Sequence, residues 1–569
     1  MRIHEISIEN FRGIKCFKWR PTSSFASLIG PGDSGKSTVL DALELAFSPR
    51  WSHVFTDNDF YTCSISERDS VDEIIIQVTV VDPPQELLRI DSFMAYTRGV
   101  DSESGAIVDE PDSESPALTV ELRVDRSLEP VWQVVADRQA TPAPLRSSHR
   151  ASFGVIRIGG EARADLRWSR TSGLLRMTNE NDQKPVGQKL VEAARAAKQA
   201  TASSFEELID VTDQVTTVAR SLRAIHGVTP LTAALNADTL QIKEGSVSLH
   251  QNDVPLERYG LGSRRLTSIA VQLVNAVHAR VLLIDEIESG LEPHRIRHLL
   301  LQLKKNLNEN PSLTQVFATT HSPVVLRELQ STELAVIRRN TTGMTEANIP
   351  GSEMQGVLRK NAEAFLAPAV LVCEGITEQG FTKGVLAHAE RNGFEFLAEA
   401  TTADAGGEKK VTEYANAFAR LGYKTGAFYD HDTDYDFSSM SASVTQIRCD
   451  EGLSLEKQIA NSLSALGLKL ALEHGASSLT LDGVTMSLEA FGCPRRVSEL
   501  IFAGEEITDF ELSQARSALG QTASKNKNAA NWFKSMDRGE RLAEIAIPNC
   551  VGEPAERIIN ALRAWASHE

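Results

Sequence analysis

The chain has 569 residues, 41% hydrophobic and 24% charged, the make-up of a globular protein too long for a single core. Its 59 basic and 76 acidic residues leave a net charge of −17, so bulk charge gives no support for a nucleic-acid partner. No apolar run reaches the roughly 18–20 residues of a membrane span. The opening Met-Arg-Ile-His-Glu-Ile lacks a secretory apolar stretch. The scattered Cys16, Cys63, Cys373, Cys449, Cys493 and Cys550 form no C-x-x-C pair. The expectation is a cytoplasmic chain with reduced thiols, no zinc ribbon and no membrane partner.

In chain order, Ile3, Ile6 and Ile8 mark an N-terminal strand, and residues 25–29 a second, buried strand ending at Gly30. Val39, Leu43, Ala46 and Phe47 have helical spacing, which predicts a helix over 36–47. Another strand is expected over 74–81, closed by Pro83-Pro84. Residues 97–117, rich in Asp, Ser, Glu and Gly, read as a surface loop or disordered insert. Strand alternation returns over 118–175, and an Ala-rich helical pattern occupies 187–222. Strand and helix alternate from about 241 to 339, a connector covers 340–351, and a further α/β unit starts at Ala367. Six basic residues against two acids between Arg516 and Arg541 are either a solvated face or a phosphate-contacting patch.

Gly30-Pro31-Gly32-Asp33-Ser34-Gly35-Lys36-Ser37-Thr38 satisfies G-x-x-x-x-G-K-[ST] between a predicted strand and a predicted helix. The glycines let backbone N–H groups surround phosphates, and the helix N-terminus favours negative charge. Lys36 is expected on the β/γ-phosphates and Ser37 on Mg²⁺. Val281-Leu282-Leu283-Ile284-Asp285-Glu286 is an apolar strand ending in two acids, a Walker B pattern. Asp285 is expected to hold Mg²⁺ and Glu286 to orient the attacking water.

The order of these motifs resembles the ABC/SMC-like ATPase head. In that resemblance Ile8-Glu9-Asn10-Phe11-Arg12-Gly13 supplies the arginine, Arg12, that approaches the nucleotide. Gly260-Leu261-Gly262-Ser263-Arg264-Arg265 stands at the signature loop but departs from Leu-Ser-Gly-Gly, and Ser263 is its phosphate-facing residue. Ser289 to Pro293 occupies the D-loop position, and Thr319-Thr320-His321-Ser322-Pro323 resembles the switch loop, with His321 sensing the γ-phosphate. The resemblance implies a homodimer or larger assembly with two ATP sites at one interface.

A second acid group follows. Glu374 ends the predicted strand 369–373, with Glu378 four residues later, and Asp430-His431-Asp432 ends a strand over 423–429, followed by Asp434 and Asp436. Ligands bind at the C-terminal ends of parallel strands. Clustered carboxylates repel unless a cation neutralises them, and all-oxygen ligands suit Mg²⁺ or Mn²⁺. Glu at one strand end and Asp-x-Asp at another is the TOPRIM pattern. An ABC-type head followed by TOPRIM resembles the OLD (overcoming lysogenization defect) nuclease family, which includes the nuclease subunit of Gabija antiphage systems.

By that resemblance Glu374, Glu378, Asp430 and Asp432 are metal ligands and catalytic, and Asp434 belongs to the same ligand set. Glu456 is the later family glutamate, with Glu451 as a rival. Lys534 is the lysine beside the scissile phosphate, with Arg541 and Lys527 as rivals. The expected fold is α/β. The ATPase head covers 1–180 and 236–350, with a helical, dimer-forming insert at 181–235. A Rossmann-like TOPRIM unit with a helical C-terminal region covers 351–569. The expected activity is ATP-regulated, metal-dependent DNA cleavage in antiphage defence, by a dimer or tetramer with a helicase-like partner. The alternative is an SMC-like DNA-clamping ATPase without nuclease activity.

Overall fold

The computed structural model describes residues 1–49, 54–61, 73–101, 103–109, 115–158, 166–167, 174, 192, 196, 209–221, 248–251, 253–275, 280–340, 342–393, 400–433, 435–478, 480–525 and 533–567. The helical insert expected over 181–235 therefore lies mostly outside the described residues; within it, Ile209–Ser221 is a helix. Asp434 and Lys527 lie outside them as well.

The first unit is built on one large mixed sheet. Its parallel part runs Val155–Ile158, Val281–Ile284, Gln315–Thr319, Phe25–Ile29, Leu334–Arg339 in spatial order. Antiparallel strands continue it through Arg2–Phe11, Glu73–Val81 and Pro116–Asp125. The period-two alternation of these strands divides the apolar side chains between two cores. Phe25, Leu282, Ile284, Val316 and Val336 enter one. Ala26, Leu28, Leu283, Phe317 and Ile337 enter the other, with the helix Lys36–Phe47.

The second sheet has the order Ala400–Asp404, Ala369–Cys373, Lys424–Tyr429, Thr445–Arg448, all parallel. Val370 and Val372 face the helix Glu408–Arg420 and the core shared with the first unit. Ala369, Leu371 and Cys373 face the helix Ile376–Arg391 and the helices from Leu455 onward. Met354, Leu358 and Phe365 lie in the same apolar cluster as both sheets, so the two units share a continuous core. Arg338 closes the junction, donating to the carbonyls of Ala367 (2.8 Å) and Pro368 (3.0 Å) and lying 3.6 Å over the Tyr423 ring.

Two expectations need correction. The loop expected over 97–117 contributes strands: Arg98–Val100 pairs with both Ile107–Val108 and Pro116–Asp125, because the large sheet offers an open edge there. The connector 340–351 contains the strand Thr345–Asn348, which folds back antiparallel on Leu334–Arg339. No helix among the described residues is long and apolar enough to cross a membrane.

The helix Ile376–Arg391 meets the helix Met536–Asn549 through glycines. A Cβ on Gly380 would stand 2.1 Å from the Met536 carbonyl oxygen, and one on Gly384 would stand 2.7 Å from the Ala543 Cβ. Elsewhere in a helix, Gly→Ala stabilises by about 0.5–1 kcal/mol. Here the clash reverses the sign, and Gly380→Ala is expected to destabilise by about 1–3 kcal/mol, read as a lower melting temperature.

Candidate functional site

Phosphate-binding geometry forms where the parallel strands of the large sheet end. Gly30 follows Phe25–Ile29 with φ 147°, and a Cβ there would lie 2.2 Å from the Ile337 carbonyl, so only glycine fits the turn. Lys36, buried at the first position of the helix Lys36–Phe47, donates to the carbonyls of Pro31 (2.7 Å) and Gly30 (3.0 Å). Its pKa is lowered by burial, offset in part by Asp33 and Asp285. A bound phosphate would supply the missing counter-charge.

Asp285 lies directly opposite. Its Oδ1 accepts from Ser37 Oγ (3.2 Å) and Thr319 Oγ1 (2.5 Å), and its Oδ2 from Arg157 (2.9 Å). The loop and the acid strand, 248 positions apart in sequence, thus meet around one carboxylate. Glu286 has φ 44°, a left-handed backbone that is uncommon for a non-glycine residue, and its N–H donates to Thr319 Oγ1 (2.8 Å).

Arg12 also has positive φ, at 48°. Its side chain pairs with Asp59 (2.9 Å) and with Asp41 on the loop's helix. Asp41 also binds Arg157, which joins Arg12 to the contacts of Asp285. Ser263 is near the start of the helix Leu261–Asn275 and accepts from Arg295 (3.2 Å). His321 is exposed; its N–H and the Thr320 hydroxyl both donate to Glu288 (2.7 Å each). Sequence reading missed Asp41, Arg157 and Glu288. Arg157 sits within the expected strand as a lone charge among Val155, Ile156 and Ile158, which is the signal that could have found it.

The second site lies at the end of the smaller sheet. From Ala369–Cys373 the chain passes to Ala400–Asp404 on one side, then returns to Lys424–Tyr429 on the other, so a crevice opens between the first and third strands. Glu374 and Asp430 follow those two strands directly. The Glu374 N–H extends the ladder to the Phe428 carbonyl (2.9 Å), and Glu374 Oε2 accepts from the Asp430 N–H (3.0 Å). Asp430 Oδ1 accepts from the N–H of Leu455 (2.8 Å), at the start of the helix Leu455–Ser462. Helix Ile376–Arg391 begins two residues after Glu374 and carries Glu378 in its first turn. Glu378 and Glu456 are 5% and 4% exposed, whereas Asp432 and Glu451 are exposed.

Four of the expected acids therefore interact. Burial, then the charges of Glu456 and Glu374, pushes Glu378 up to about 8. Burial, then Glu378, Glu456 and Glu374, holds Asp430 well above the usual carboxylate range. Glu374 is raised by burial and, beyond the opposing Asp430 N–H, by Glu408, Asp432 and Glu456. None of Glu374, Glu378, Asp430, Asp432 and Glu456 forms a salt bridge among the described residues. A cluster of carboxylates without cationic partners has the chemistry of a cation site with oxygen ligands. Its present arrangement is not one: among the described residues no three His, Cys, Asp or Glu side chains are grouped to hold a metal ion.

The Glu378 shift has a defined sign. Its folded carboxyl holds a proton between the unfolded value, 4.5, and about 8, so the metal-free protein loses stability as pH rises across that window. Glu378→Gln is expected to raise the melting temperature of metal-free protein at pH 8 by a few degrees, and to leave it little changed at pH 5.

Lys534 is exposed and immediately precedes Ser535, the N-cap of the helix Met536–Asn549. Met536 packs on Gly380, so this segment borders the first turn that carries Glu378. Arg541 is in the second turn of that helix and pairs with Glu544 (2.8 Å).

Residues 25–327, more than half of the chain, match the family described as "AAA domain, putative AbiEii toxin, Type IV TA system". The chain belongs to this family. It thus contains an ATP-binding AAA domain, and the loop at Lys36 and the acids at Asp285 lie inside the matched region. No curated protein matches the chain. Among solved structures it is similar to the SMC head domain from Thermotoga maritima, at 13% identity and TM-score 0.31, covering 62% of this chain and 100% of that one. It is also similar to an SmcHead bound to the C-winged helix domain of ScpA, at 14% identity and TM-score 0.36, covering 61% and 97%. A third is the Smc head domain with an extended coiled coil bound to the C-terminal domain of ScpA derived from Pyrococcus furiosus, at 11% and 0.35, covering 61% and 96%. These scores are too low for a common fold to follow from them.

Proposed function

We propose that the chain is an ATP-regulated, divalent-metal-dependent DNA endonuclease of the OLD type, its AAA domain joined to a TOPRIM-like nuclease unit. The observation that carries this reading is the cluster of the buried Glu378 and Glu456 with the half-buried Glu374 and Asp430 at the crevice of a four-stranded parallel sheet, with no salt-bridge partner among the described residues. Glu374, Glu378, Asp430 and Glu456 would hold Mg²⁺ or Mn²⁺, with Asp432 at the exposed rim and Asp434 next to it. A bound divalent cation supplies Lewis-acid polarisation of a phosphoryl oxygen and a water acidic enough to act as nucleophile. The proton that burial and the neighbouring acids hold on Glu378 in the metal-free protein would leave as the cation binds, so metal affinity should rise with pH. Lys534 would neutralise a phosphate at the rim.

In the AAA domain, Lys36 and the N–H groups after Gly30 would bind the ATP phosphates, Ser37 and Asp285 the magnesium, and Glu286 the attacking water. Ser263 and His321 would complete the site in a homodimer or tetramer. Antiphage defence and a helicase-like partner belong to the same proposal. A second reading is favoured by the absence of a ready-made ligand group among the described residues: a DNA-clamping ATPase whose acids bind no metal.

The two readings separate on supercoiled plasmid. Under the nuclease reading, full-length protein with Mg²⁺ or Mn²⁺ yields nicked or linear DNA, and EDTA abolishes it. Intact plasmid under both metals, with and without ATP, leaves the clamp.

A further inference from the structure

The end of the edge strand Thr445–Arg448 is flanked by two cavities that share His431, Gln446 and Arg448. One, of about 400 Å³, reaches Asp450 and Arg557. The other, of about 320 Å³, is walled by Tyr429, Tyr435 and Phe437, and the His431 that lines both follows Asp430 in the chain. Volumes of this size accommodate small planar ligands.

The aromatic wall is layered. Tyr429 is buried and stacks on Phe437 at 3.9 Å and 23°, while its hydroxyl donates to Gln446 (2.8 Å). Tyr435 stands edge-on to Phe437 at 4.7 Å and 73° and is only half-buried. Its hydroxyl makes a marginal 3.5 Å contact with the Lys409 carbonyl, so that group does little to anchor the ring. The cavity's carboxylates are engaged elsewhere: Asp436 accepts from the N–H and hydroxyl of Ser438 (2.8 Å each), and Asp450 pairs with Arg557. The exposed Arg448 guanidinium makes no hydrogen bond or salt bridge among the described residues. An outward ring beside an uncommitted guanidinium is the composition of a site for a base and its phosphate.

We propose that this cavity takes one unpaired nucleobase of a single-stranded or frayed nucleic acid, stacked on Tyr435 with the adjoining phosphate on Arg448. The inference rests on the nuclease reading for its purpose: it selects the strand presented to Asp430. A paired base enters less readily, because it must first leave the duplex stack. The cleft thus favours ends, forks and gaps over closed duplex.

The test is binding rather than cutting. Fluorescence anisotropy follows a short labelled oligonucleotide, single-stranded and as a blunt duplex, on full-length protein with Ca²⁺ as the divalent ion, and a gel verifies that the DNA stays intact. Single strand should bind more tightly than duplex. Tyr435→Ala and Arg448→Gln should each weaken single-strand binding by about 5- to 150-fold, the range for one base-stacking contact, and change duplex binding less than about twofold. Tyr435→Phe should retain wild-type affinity. The proposal is overturned if no single strand is bound, if Tyr435→Ala binds it as wild type does, or if both forms lose affinity equally. Loss of the nuclease reading shows up separately, as Tyr435-dependent binding by a protein that cuts nothing with Mg²⁺ or Mn²⁺.

Discussion

Lys36→Ala is expected to abolish ATP binding, lowering affinity on the order of 10²–10⁴-fold. The ammonium lies among the Gly30 and Pro31 carbonyls and the Ser34 hydroxyl, and its N–H groups would turn from these to the phosphates. Two charge-assisted bonds at about 1.5–3 kcal/mol each give that range. Alanine also relieves the burial of a charge, so the variant should melt no lower than wild type in the absence of nucleotide. Isothermal titration with ATP and Mg²⁺ measures the first effect and calorimetry the second. Near-wild-type affinity would remove the loop from the nucleotide site.

The second large effect belongs to Asp430. Asp430→Asn preserves shape and an oxygen that can still accept the Leu455 N–H, but removes the anionic oxygen that a cation would bind. Metal-dependent cleavage should fall by about 10³-fold or more, the loss of several kcal/mol of charge stabilisation in the transition state. ATP affinity should be unchanged, since Asp430 belongs to the second sheet and Lys36 to the first. Parallel loss of both activities would point instead to misfolding or to a single coupled site.

The sequence made the apolar strands legible because each is short, buried on both faces and closed by a turn or an acid. Residues 25–29, 36–47 and 369–373 form the elements their spacing predicts. The large-sheet edge at 98–108 was hidden because its strands are short and half-buried, held by pairing rather than by an apolar pattern. At the sites, acids that end strands were readable, whereas partners brought in by folding were not. Arg157 and Asp41 meet Asp285 and Arg12 only through the sheet order. Glu456 was placed by resemblance, and its burial against Glu378 and Asp430 is a tertiary fact that distinguishes it from the exposed Glu451.

If Glu374, Glu378, Asp430 and Glu456 form a metal centre, the nucleotide-free protein should bind Mn²⁺. Without ATP the head offers Mn²⁺ no phosphate, so titration of full-length protein followed by the electron spin resonance of free Mn²⁺ isolates the second sheet. At least one ion should bind per chain, and binding should be lost in both Glu378→Gln and Asp430→Asn. No binding, or equal binding by wild type and both variants, would contradict it.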